Sequence, residues 1–123
     1  MKSMLFMLLF AISCGFSNVA MAHHSFASYD FDKQIPFEGV VYELKFRNPH
    51  IELTLLRTLE NGEKEKIEFS EGAPANMLVR MGLRPDMIKP GTKITAIGSP
   101  KKSDPSVYFL RKIILEDGKS FGE

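Results

Sequence analysis

The chain has 123 residues, with 16 Lys and Arg against 15 Asp and Glu, three His, one Cys and no Trp, a length that points to one domain and excludes a multidomain enzyme. Apolar residues make up 44% and charged residues 25%, ordinary globular usage that argues against a wholly disordered chain or a repeat array. The near-balance of charge leaves no electrostatic footprint for nucleic acid.

Residues 1–22 are expected to be a secretory signal peptide and are set apart from the fold. Lys2 supplies the positive start, residues 4–12 the apolar run, and Ala20-Met21-Ala22 the small-residue site after which cleavage is expected. The run falls well short of the ~20 apolar residues a spanning helix needs, so no transmembrane span is expected. A minor alternative is lipoprotein processing with an anchor at Cys14, in Ser13-Cys14-Gly15. With the cut after Ala22 the protein is periplasmic and free of cysteine, so no disulfide supports it and its apolar core alone must hold it together.

Residues 23–34 show no sustained period and are read as an extended N-terminal arm, with the domain proper at 35–123. Val40, Tyr42, Leu44 and Phe46 alternate with polar neighbours and Val41, the period of a half-buried strand with those four facing inward. Asn48-Pro49 breaks it. A second strand over 50–57 places Ile51, Leu53 and Leu55 on one face, and Asn61-Gly62 signals a two-residue type I′ hairpin into a third strand over 64–69. Residues 71–82 switch to helical spacing, with Pro74 in the first turn, Met77, Leu78 and Met81 as the apolar stripe and Gly82 after the end. Strands over 92–97 and 106–115 follow. Three strands, a helix and two strands predict an all-β fold, a small five-stranded OB-like barrel with one short helix between strands three and four. An open antiparallel sheet carrying a helix is the alternative.

Two binding readings follow, and an enzyme is not expected. Nucleophilic catalysis needs a hydroxyl or thiol held beside a base, and no motif of that kind stands out. In the first reading His23 and His24, which would open the mature chain, join His50 on the polar side of the second strand to hold a metal, with copper favoured by nitrogen ligands and the divalent affinity order. Asp30 or Asp32 could add an oxygen. Met77, Met81 and Met87 are set aside as core rather than thioether ligands. In the second reading an OB-like barrel binds across strands two and three between the loops at 47–50 and 98–105. Arg47, Asn48 and His50 then meet Lys101 and Lys102 on a rim that takes a partner protein of the envelope or an anionic ligand. In either case the protein is expected to act as a monomer.

Six segments carry a resemblance. His23-His24-Ser25-Phe26-Ala27, Tyr29-Asp30, Glu38-Gly39-Val40-Val41, Arg47-Asn48-Pro49-His50, residues 71–76 and Lys89-Pro90-Gly91-Thr92-Lys93-Ile94 together resemble a bacterial family of small exported proteins of unknown function, with a mature HHSF start and an NPH motif. The resemblance implies export and a small β-rich fold and brings no activity with it. The chain departs from the family's pattern at Phe46-Arg47, where Trp is common, and at Thr92, where Asp often follows Pro-Gly. All three histidines fall inside the shared motifs.

Overall fold

The computed structural model describes residues 26–123. The expected signal peptide with Cys14, and with it His23 and His24, lies outside the described residues. Within them six strands form: β1 (Ile35–Lys45), β2 (Glu52–Thr58), β3 (Lys64–Gly72), β4 (Lys93–Pro100), β5 (Val107–Leu115) and β6 (Ser120–Gly122). β1 pairs antiparallel with β2 on one side and β4 on the other, β2 pairs with β3, and β4 with β5. A parallel pairing of β3 with β5, Glu68 opposite Val107 through Gly72 opposite Leu110, closes the ring. The five-stranded OB-like barrel is therefore the observed architecture, and the open sheet is not.

The core follows from the alternation of β2 and its partners. Leu53, Leu55, Ile67, Phe69, Ile94, Ala96, Leu110 and Ile113 all point into the barrel and are buried. A tight aromatic group of Phe37, Phe69 and Tyr108 sits among them, with ring centroids 4.7–6.0 Å apart. Removing this apolar surface from water is the main favourable contribution to a cysteine-poor fold, at about 25 cal/mol per Å².

β1 departs from its expected face. Its register against β2 shifts between Val41 and Glu43, so Val41 opposes Leu55, Glu43 opposes Thr54, and Tyr42 is the extra residue of a β-bulge. The inward parity switches at that point. Phe37 and Val41 face the core before the bulge, and Leu44 and Phe46 pack against it afterwards. Val40 is 38% exposed and Tyr42 49%, against 2% for Val41, because a one-residue slip moves every side chain to the other face.

The helix is shorter than expected. β3 continues to Gly72 through a second irregularity between Phe69 and Glu71, and α1 covers only Ala75–Arg80 with Pro74 before it. Ala75 and Leu78 are its buried residues. Met77 and Met81, expected in the core, are 39% and 42% exposed: the buried stripe is one position off because the last turn winds toward Leu83 instead. Gly82 takes a φ of +97°, its N–H donates to the Val79 carbonyl and that of Leu83 to the Leu78 carbonyl, each at 3.0 Å. This is a Schellman ending with its apolar contact between Leu78 and Leu83. Leu83 and Ile88, the latter in a 3₁₀ turn at Pro85–Ile88, join the core beneath α1.

Both hairpin turns use the same chemistry. In Leu59-Glu60-Asn61-Gly62-Glu63 the Gly62 N–H bonds the Leu59 carbonyl, the Glu63 N–H bonds Asn61 Oδ1 at 3.0 Å, and Gly62 alone has positive φ. The expected type I′ turn is thus a longer loop with a left-handed glycine, since I′ would need Asn61 at positive φ too. Leu115-Glu116-Asp117-Gly118-Lys119 repeats the pattern and turns the chain into β6, which pairs with the upper half of β5.

Residues 28–33 lie on the barrel. Tyr29 is buried and bridges to Lys101, the Asp30 N–H donates to the Pro100 carbonyl at 2.9 Å, and the Lys102 N–H donates to the Ser28 carbonyl at 2.8 Å. The buried Ser99 hydroxyl donates to the Lys33 carbonyl at 2.8 Å. Phe26, Tyr29 and Phe31 gather around Phe109 with centroids 5.2–5.9 Å from it.

Candidate functional site

The outer face of β1, β2 and β3 is built in rows set by register. Val40, Leu56 and Lys66 form one row, Glu43, Thr54 and Glu68 the next, and Lys45 with Glu52 the last. The bulge adds Tyr42 to this face. Its half-exposed ring carries the Lys66 ammonium 4.1 Å from the ring centre, a favourable cation–π placement. Apart from Val40 and Leu56, these side chains line a groove of about 400 Å³ together with Ser70 on β3, Ser106 just before β5 and the buried Leu53 and Phe69.

Its electrostatics are balanced within the site. Glu52 accepts from Lys45 Nζ at 2.9 Å and from Arg47 Nη2 at 2.7 Å. Those hydrogen bonds, Lys45 first and Arg47 second, hold its carboxyl below the usual glutamate range and raise the Lys45 ammonium. At another edge the Tyr29 phenol meets Ser70 Oγ at 3.1 Å, and burial pushes that phenol up. Ser106 donates from its hydroxyl and its N–H to Asp104, which holds the Asp104 carboxyl down.

The residues singled out in the sequence take distinct places. Arg47 leaves β1 toward Glu52 at the groove's edge, so its charge is already matched. Asn48 turns its side-chain oxygen to the Asn76 N–H at 3.2 Å, tying the β1–β2 loop to the first turn of α1, and the Asn48–Pro49 bond is cis. His50 is exposed at the end of that loop, next to Ile51, whose N–H bonds the Ala73 carbonyl. Lys101 is half-buried and Lys102 exposed at the start of the β4–β5 loop that ends in Ser106. The groove thus has Arg47 with Glu52 at one boundary and the end of the β4–β5 loop at another. Asp30 is paired with Lys33 at 3.1 Å and Asp32 is exposed. Among the described residues no three His, Cys, Asp or Glu side chains are grouped to hold a metal ion, and no helix is long and apolar enough to cross a membrane.

The groove residues Tyr42, Thr54, Lys66, Glu68, Ser70 and Ser106 were not evident as a set in the sequence, because cross-strand register brings them together. One signal was present. Phe37 and Val41 share one parity while Leu44 and Phe46 share the other, so the β1 segment cannot bury all four without an extra residue between them. That residue is Tyr42.

The chain belongs to a family of unknown function, DUF6152, whose model matches residues 11–107. That span covers the matched chain from before the described residues to the first residue of β5. No curated protein and no solved structure matches the chain.

Proposed function

We propose that the protein is an exported binding module rather than an enzyme, and that its working surface is the groove across the outer face of β1, β2 and β3. The observation that carries this reading is the bulge at Tyr42, which sets an aromatic ring over a polar groove of about 400 Å³ on the strands that OB-type barrels use for ligands. Lys2, the apolar run and Ala20-Met21-Ala22 support delivery to the periplasm, with lipid anchoring at Cys14 as the alternative. The partner reading centred on Arg47, Asn48, Lys101 and Lys102 is carried into the groove between those loops, because Arg47 is engaged by Glu52 and Asn48 by Asn76. Copper held by His23, His24 and His50 is the second reading, supported by the exposure of His50.

Native mass spectrometry of protein purified from its own cells without chelator or tag separates them. The groove reading expects a chain beginning at His23 with a co-purifying mass that Thr54→Arg removes and that Lys101→Glu with Lys102→Glu leaves in place. A bound mass indifferent to Thr54→Arg overturns it. One copper that survives Thr54→Arg and is lost in His50→Ala moves the function to the histidines.

A further inference from the structure

The chemistry of the groove narrows what it receives, an inference that rests on the groove being the binding surface proposed above. Three carboxylates, Glu43, Glu52 and Glu68, stand among its side chains with only two ammonium groups, Lys45 and Lys66. A phosphate or other polyanion therefore meets no excess positive charge, in contrast to the basic channels that hold nucleic-acid strands. A metal cation fares no better, because Glu52 is already engaged by Lys45 and Arg47.

A peptide has little to bind. β1, β2 and β3 are hydrogen-bonded to one another along the groove floor, and apart from the buried Leu53 and Phe69 the side chains that line it beside Tyr42 are charged or hydroxylic rather than apolar pockets for anchor side chains. What remains on that face is one aromatic ring, hydroxyls that both donate and accept, and carboxylates that accept. A sugar ring presents the matching set: hydroxyls around its rim and a C–H face that packs on the electron-rich face of an aromatic. The volume lies low in the range of ~300–1,000 Å³ for small-ligand sites, room for a short stretch of chain.

We propose that the groove binds a neutral, hydroxyl-rich oligosaccharide, with one ring stacked on the face of Tyr42 opposite Lys66 and hydroxyls taken by Thr54, Glu68 and Ser106. Lys66, held over Tyr42, fixes the orientation of that ring and adds a donor at its edge.

Amide NMR spectra recorded while cellotetraose or chitotetraose is added test this, with a mixed-sequence peptide pool and polyphosphate as further probes. The expected result is saturable shifts at Tyr42, Thr54 and Lys66 with one of the tetrasaccharides. Tyr42→Ala then weakens binding by about tenfold or more, and Tyr42→Phe, which keeps the ring, by less than about threefold. Tyr42 is half-exposed, so both variants keep the fold, and the dispersed amide spectrum verifies it. If neither tetrasaccharide shifts these amides while the peptide pool or polyphosphate does, the sugar assignment is overturned and the groove reading stands. If a tetrasaccharide shifts amides elsewhere and Tyr42→Ala leaves its affinity unchanged, or if no probe shifts the groove at all, both are overturned.

Discussion

Val40 and Val41 are chemically identical neighbours with opposite fates, and the difference between them is set by Tyr42. The bulge places Val41 against Leu55 inside the barrel and leaves Val40 outside beside Leu56. An aspartate at position 41 would be an unpaired charge in the core, whereas at position 40 it would remain hydrated. Val41→Asp is therefore expected to lower unfolding free energy in urea by about 3 kcal/mol or more, and Val40→Asp by less than about 1 kcal/mol. The reverse order would restore the plain alternation and remove Tyr42 from the groove. Glu52 gives a second residue-scale expectation. Its folded carboxyl titrates below the unfolded value, so its contribution to stability is in place above the unfolded value and fades as pH falls through the folded one. Followed by carbon NMR of the side-chain carboxyl, its midpoint should lie below the ordinary glutamate range and move upward in Lys45→Ala. Since the pair is exposed and screened, the change in overall stability should be small.

At the scale of elements, what the sequence disclosed depended on whether the signal was local. Asn61-Gly62 marked one hairpin, and Asp117-Gly118 carried an equally strong signal for β6 that the long apolar run of β5 concealed. The β2 alternation was legible because each of Ile51, Leu53 and Leu55 keeps one parity throughout. β1 was not, since a bulge changes parity within the strand and only pairing with β2 reveals where. The helix stripe failed for a related reason: with six residues in α1, period alone cannot decide between Met77 and Leu78, and the buried partner Leu83 settles it from beyond the helix end. The segment before β1 has no period at all because its order comes from tertiary contacts, chiefly Tyr29 beneath Phe31 and beside Phe109. Tyr29→Ala should release it. Hydrogen exchange is expected to quicken by about tenfold or more at the Asp30 and Lys102 amides while the β2 amides stay protected, and unchanged exchange at those two positions would mean that the segment is held by something other than this ring.

For the whole molecule, order of elements specified the barrel and register specified the site. The run of three strands, helix and two strands is enough to name an OB-like closure, because few topologies bury the inner faces of those strands together with α1. The loops at 47–50 and 98–105 were legible as flanking the outer face of β2 and β3 for the same reason. The face itself was not, since Thr54, Lys66, Glu68 and Ser106 become neighbours only once β2, β3 and β5 are laid side by side. The groove is accordingly built mainly from strand residues, while Arg47 and Asn48 in the β1–β2 loop are held in structural contacts. The measurement that tests this most directly is an amide NMR screen of the assigned protein against a library of small polar fragments, which reports where the surface accepts ligands whatever their identity. Fragments that bind are expected to converge on Tyr42, Thr54, Lys66, Glu68 and Ser106. Convergence on His50, Lys101 and Lys102 with a silent groove would contradict this.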